Sequence, residues 1–215
     1  MTDAPRGVAT LILETAFQTV SVATSVDGAV FVPRIDVAAA RAAALHAAIA
    51  DCLEQADLSP RDITHALIDV GPGSYTGLRV GLATIRTWTA FRPLTIEALF
   101  STDLVAARAA AQLEIPGTFS VIADARRGQW FHARYAKGAS GLLERTIEPD
   151  CVTTAELVDL VGSDRVFSAE PARPNEIETM VVGVPIATDA LRIDYLAFAE
   201  AEPTPRYLMP AMEPR

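Results

Sequence analysis

The chain has 215 residues, half of them hydrophobic, which is enough for one large or two small packed domains and their cores. Its 27 acidic residues against 18 basic ones leave a formal charge of −9, a poor balance for a stand-alone nucleic-acid binder, which needs clustered Lys and Arg. Two cysteines, Cys52 and Cys151, and three histidines, His46, His65 and His132, lack metal-ligand spacing, and with no long apolar run a soluble, cytoplasmic protein is expected.

Val8 to Thr15 reads as a buried strand with a polar end at Glu14-Thr15. A second strand follows over Thr19–Thr24, and Asp27-Gly28 is a two-residue hairpin turn into a third over Ala29–Ile35. From Asp36, a cap, an alanine-rich helix is expected to about Ala56, with Leu45, Ile49, Cys52, Leu53 and Ala56 as its apolar stripe. Its many alanines serve either helix propensity or the close approach of another helix. Ser59-Pro60-Arg61-Asp62 is a short capped turn, and Ala66–Val70 a fourth strand.

That strand enters Gly71-Pro72-Gly73-Ser74-Tyr75-Thr76-Gly77, from which a helix leaves with Leu78, Leu82, Ile85 and Thr89 at helical spacing. Ser74 or Thr76 caps it, and Arg79 in its first turn opposes the helix dipole, so an anionic partner is expected for it. A fifth strand over Pro93–Glu97 and a helix capped by Ser101 running to about Leu113 complete an α/β order. It is also the order of ribonuclease-H-like domains.

After Pro116-Gly117 the order begins to repeat, weakly. Strands are expected at Thr118–Ala123, Trp130–Tyr135 and Leu142–Ile147, then a short helix capped by Thr153 or Thr154 with Leu157 and Leu160 on one face. Val166–Ala169 and Val184–Thr188 read as strands, Asp189–Glu200 as a short helix, and Pro203 to Pro210 as an irregular surface tail.

The glycine-rich turn suggests phosphate binding at a helix N-terminus, but the two common forms fail. A Walker A loop requires Lys and Ser/Thr where Leu78 and Arg79 follow Gly77; a dinucleotide fingerprint has two residues between its last glycines, not Ser74, Tyr75 and Thr76. Ser74 does not stand in a Gly-x-Ser-x-Gly elbow, and His132 lies within a strand, where a structural role is expected. Glu14 and Asp124, at strand ends, are the acid/base or Mg²⁺ candidates, weighed against roles as caps or ion-pair partners.

Gly-Pro-Gly-Ser-Tyr-Thr-Gly-Leu-Arg-Val-Gly, from Gly71 to Gly81, closely resembles the signature of the bacterial TsaB (YeaZ) family. The resemblance extends from about Leu11 to Leu113, returns at Asp124-Ala125-Arg126-Arg127-Gly128, and again around Tyr207-Leu208. It implies an actin-like ATPase fold of two ribonuclease-H-like halves, the second reduced, with domains over 1–115 and 116–215.

The function implied is that of a non-catalytic scaffold paired with TsaD, joined by the ATPase TsaE. That complex transfers a threonylcarbamoyl group from its adenylate to the adenosine beside the anticodon of tRNA. No catalytic or metal-binding residue is expected in this chain, and tRNA is met only through the complex. The pairing surface implied is the helix before the glycine-rich stretch and the one after it: Leu45, Ile49, Leu53, Gly73, Ser74, Tyr75, Thr76, Gly77, Leu78, Arg79, Leu82 and Ile85. A homodimer through these helices is the expected form without TsaD.

No intrinsic cofactor is implied; ATP or ADP with Mg²⁺ is a candidate only at the complex boundary, where Glu14, Asp124 and Arg126 are the anion or nucleotide contacts. The phosphate loops of an actin-like ATPase are replaced by Glu14-Thr15-Ala16 and Asp124-Ala125-Arg126, both lacking glycine. Arg41-Ala42 stands where the family has His-Ser, and Ser168-Ala169-Glu170 where it has a Gly-Asp-Gly-like turn. The alternative reading is a stand-alone actin-like ATPase or phosphotransferase.

Overall fold

Ala9–Glu14 (β1) is buried at every position, as a central strand covered on both faces must be. The computed structural model describes residues 7–17, 19–34, 41–113, 116–174, 177–193 and 204. β1 pairs antiparallel with Ser21–Val26 (β2), which pairs antiparallel with Ala29–Phe31 (β3). Asp27 and Gly28 both take positive φ, the twist a two-residue hairpin requires. On its other side β1 runs parallel to His65–Asp69 (β4), and β4 parallel to Thr95–Leu99 (β5), giving the order β3-β2-β1-β4-β5.

The helices of this unit are Arg41–Gln55 (α1) and Tyr75–Thr89 (α2). The expected cap Asp36 lies outside the described residues, as does the tail around Tyr207. A 3-10 turn, Pro60–Asp62, is closed by Asp62, whose Oδ2 accepts the Ser59 backbone N–H at 2.6 Å and its hydroxyl at 2.7 Å.

The second sheet has the same topology. Gly117–Arg126 (β6), Gln129–Lys137 (β7) and Leu143–Thr153 (β8) form an antiparallel meander. Arg165–Ser168 (β9) runs parallel to β6, and Thr179–Val181 (β10) parallel to β9, so β8-β7-β6-β9-β10 repeats β3-β2-β1-β4-β5. The repeat is reduced: β9 and β10 have four and three residues, and the one α-helix between β8 and β10 among the described residues is Thr154–Val161 (α4). Thr153 caps α4 in a reciprocal box with Glu156.

Two expectations change. The helix Ser101–Gln112 (α3) has Phe100, not Ser101, at its cap position, and Asp103 Oδ2 accepts the Phe100 N–H at 2.8 Å. No strand forms at Val184–Thr188; Gly183 turns with φ +84°, Pro185 lacks an N–H, and Ala187–Arg192 is a 3-10 turn whose Ala187 N–H donates to Ser21 Oγ at 2.9 Å. Residues 194–200 of the expected last helix lie outside the described residues.

The units also divide elsewhere than at 115/116: one comprises the chain through Leu99 with the stretch resuming at Ile186, the other Phe100 to Pro185. The reason is α3. Its Asp103, fully buried, accepts Arg145 Nε at 3.0 Å, Arg145 Nη2 at 2.8 Å and the Tyr135 hydroxyl at 2.8 Å, tying the helix to β7 and β8.

Candidate functional site

Glu14 and Asp69 end the two central parallel strands, one position beyond the Leu13–Ile68 pair, and both are buried. Glu14 Oε1 accepts the backbone N–H groups of Ala16 at 2.7 Å and Phe17 at 3.0 Å, while Asp69 Oδ1 accepts that of Gly71 at 2.7 Å. These amides leave the sheet at the strand ends where an anion would be cradled, and the protein's own carboxylates already occupy them. Burial, reinforced by the Asp69 charge, holds the Glu14 carboxyl well above the ordinary carboxylate range, against the pull of its two amides. Asp69 is not among the sequence candidates; its signal is a strand-end carboxylate two residues before Gly71-Pro72-Gly73.

The glycines serve close packing. A Cβ at Gly73 would stand 2.5 Å from the Ala16 carbonyl oxygen, one at Gly81 2.5 Å from Thr15 Oγ1, and one at Gly77 closer still to the Thr15 carbonyl oxygen. The Ser74 N–H donates to Ala16 O at 2.6 Å, so the loop and the first turns of α2 lie directly against the end of β1. Ser74 caps α2, its Oγ accepting the Gly77 N–H at 3.2 Å. The Arg79 guanidinium lies 4.2 Å from the centre of the Tyr75 ring, four residues back.

Six of the residues expected at a partner surface are core residues. Leu45, Ile49, Leu53, Leu78, Leu82 and Ile85 are each at most 3% exposed, because the apolar stripe of each helix covers its own sheet. Among the residues that α1 and α2 present outward are His46, Ala47, Ala50 and Glu54, and Tyr75, Thr76, Arg79, Ala83, Arg86, Thr87 and Thr89. Gly73 and Ser74 are also exposed, and Gly77 is half-buried. The side chains of Arg41 and Ala42 lie outside the described residues.

In the second unit Asp124 is exposed, and its Oδ1 accepts the Arg126 N–H at 2.6 Å. Arg126, Arg127 and Gly128 follow with φ of 68°, 56° and 75°, and both arginines are exposed. The carboxylate of this loop therefore spends itself on its own turn, as Glu14 does. Cys52 is fully buried, and burial pushes its thiol up to about 12.

His132 is buried, with Nε2 3.1 Å from Ser120 Oγ, which donates to Asp164 Oδ2 at 3.0 Å; Asp164 also pairs with Arg134 at 2.6 Å. Serine, histidine and aspartate meet here, yet the aspartate binds the serine rather than orienting the imidazole, and Ser120 is fully buried. This is a structural network, not a nucleophile. Among the described residues no three His, Cys, Asp or Glu side chains stand together as metal ligands, and no helix is long and apolar enough to cross a membrane.

Two sheets of one ribonuclease-H-like topology, the first with a filled strand-end turn, define an actin-like α/β protein, and a family model agrees: that of TsaD, tRNA N6-adenosine threonylcarbamoyltransferase, matches residues 14–197. The chain belongs to this family, and within it to the TsaB (YeaZ) members.

It is 32% identical over 118 residues to the tRNA threonylcarbamoyladenosine biosynthesis protein TsaB of Bacillus subtilis, covering 55% of this chain and 48% of that one. It is 31% identical over 86 residues to an uncharacterized protein of Mycobacterium leprae, 40% of this chain and 22% of that one. The match thus spans about half the length of the first relative and about a fifth of the second. Among solved structures, YeaZ from Pseudomonas aeruginosa superposes with a TM-score of 0.72 at 20% identity, over 94% of this chain and all of that one. An uncharacterized protein with similarity to peptidase YEAZ from Pseudomonas aeruginosa gives 0.73 at 19%, with the same coverage. These two likenesses carry the fold.

Proposed function

We propose that the chain takes part in threonylcarbamoyladenosine biosynthesis on tRNA as a non-catalytic subunit that pairs with TsaD, with TsaE joining the assembly. The observation that carries the non-catalytic reading is the occupied turn: Glu14 accepts the Ala16 and Phe17 amides, Asp69 that of Gly71, and Gly73 and Gly77 are filled by the end of β1. A phosphate entering there would meet two buried carboxyl groups and no unoccupied cradle.

The pairing surface in this reading is the exposed face of α1 and α2. Its small residues, Ala47, Ala50 and Ala83, let a partner helix approach closely, and the stacked Tyr75–Arg79 pair supplies an aromatic and cationic anchor beside them. The same face serves a homodimer when TsaD is absent, and tRNA is modified by the assembly.

Two measurements test this. Depleting the protein from its own cells lowers threonylcarbamoyladenosine in total tRNA; an unchanged level refutes the assignment. Ala47→Glu and Ala83→Glu, both on the exposed face, abolish co-purification with TsaD while the variants melt like the parent; a retained complex refutes the surface. Nucleotide hydrolysis by the purified chain, lost on substitution of Glu14 or Asp124, would favour the stand-alone ATPase or phosphotransferase instead.

A further inference from the structure

The strand β10 ends the second sheet, with β9 as its one strand neighbour among the described residues. The Val182 N–H donates inward to Ser168 O at 2.9 Å, so alternation along the strand turns the backbone N–H and C=O of Thr179 and Val181 outward. Among the described residues these four groups have no backbone partner. Short length apart, β10 carries none of the devices that protect a sheet edge: Thr179, Met180 and Val181 include no charge and no proline, and Met180 and Val181 are 40% and 48% exposed. Beside this edge the second unit has an open cleft of about 930 Å³. The helix α4 lines it with Val158 and Val161, β9 with Val166, and the segment through β10 with Ile177 and Met180; Val158, too, is exposed.

Of the charged residues lining the cleft, Asp164 already pairs with Arg134 and accepts the Ser120 and Thr118 hydroxyls, while Arg165 and Glu178 bring one charge of each sign. The cleft therefore has no net charge with which to select an ion, and its apolar walls suit uncharged side chains. A second copy meeting this edge would pair three residues on each side, far short of the roughly 800 Å² per partner that a stable dimer buries. A single extended segment uses both features at once, its backbone pairing with the edge while every second side chain enters the cleft. We propose that this edge takes an extended segment of another protein, apolar at alternate positions, as an added strand of the second sheet. The outward backbone groups of Thr179 and Val181 hold it, and Val158, Val161 and Met180 select its side chains. This surface belongs to the second unit and is independent of the α1 and α2 face.

The probe is a fluorescein-labelled, end-capped heptapeptide of alternating valine and threonine, titrated with the full chain and read by anisotropy. The expected result is saturable binding with Kd below about 1 mM, lost when serine replaces the valines. Two further peptides are N-methylated, one on the valines and one on the threonines. Only the peptide methylated along its pairing edge weakens, by about two- to tenfold for each hydrogen bond removed. Val181→Pro takes one outward donor from the edge and weakens binding on the same scale, and Val158→Lys weakens it through the cleft. Both positions are exposed, so both variants melt like the parent. The methylated peptides act on the unaltered chain and decide the matter even if Val181→Pro unfolds. No binding by the parent, or equal binding of all three valine-threonine peptides, overturns the proposal. Self-association of the parent that Val181→Pro removes, with no peptide bound, also overturns it and assigns the edge to a second copy.

Discussion

Replacing Glu14 by Gln tests the central feature of the first unit. In the folded chain the Glu14 carboxyl is buried beside Asp69 and held well above its ordinary range, so the native state retains a proton that the unfolded chain releases near pH 4.3, the usual glutamate value, to within about half a unit. The native state therefore binds more protons over this window. The stability contributed by the protonated group is complete below the unfolded value and is lost as pH rises through the folded one. The slope for one group is at most about 1.4 kcal/mol per pH unit. Glutamine keeps an oxygen for the Ala16 and Phe17 amides, and its NH₂ replaces the carboxylic proton as a donor, so the slope disappears. Glu14→Gln is then at least as stable as the parent at pH 7, and its advantage shrinks toward pH 5. For a chain of this size each 1 kcal/mol shifts Tm by about 2–4 °C. The assay is thermal and urea unfolding of both proteins across pH 5–8, read as the difference between them. Asp103, raised by burial, and His132, lowered by burial, titrate in both proteins and cancel. Parallel stability curves, or a Glu14→Gln protein much weaker than the parent at pH 7, would refute the reasoning by showing Glu14 ionised and paired.

Gly77→Ala drives a Cβ into the Thr15 carbonyl and costs about 1–3 kcal/mol of overpacking, visible as a lowered Tm; an unshifted melt rules out the close-approach role. Arg145→Ala leaves the fully buried Asp103 without its bidentate cation and lowers unfolding free energy by about 3–5 kcal/mol in urea titrations; a loss under 1 kcal/mol, the scale of an exposed pair, argues against this tie between α3 and its sheet. The His132 imidazole, depressed by burial and by the Arg134 charge, protonates in the folded chain only below its ordinary range, so an NMR titration with a midpoint at or above pH 6.5 contradicts the neutral Ser120–His132 network.

Local chemistry determined much of this fold without tertiary help. Asp27-Gly28 dictates a tight hairpin, the apolar run into Glu14 a covered strand, Ser74 or Thr76 and Thr153 or Thr154 the starts of α2 and α4, and the order of elements an α/β fold with a reduced repeat. Each of these signals is complete within a few residues. The 3.6-residue stripes of α1 and α2 were legible too, but a stripe does not declare what it will cover. The resemblance placed Leu45, Ile49, Leu82 and Ile85 on a partner surface, and only the placement of the sheet beneath them made them core and turned Ala47 and Ala83 outward. Likewise, a glycine signals only that a side chain is unwelcome. That Gly73 and Gly77 make room for the end of β1 rather than for a phosphate, and that Glu14 faces Asp69 rather than a ligand, follows from parallel pairing between residues more than fifty positions apart. Contacts of that range are set by the packing of whole elements, and no local window of the chain contains them.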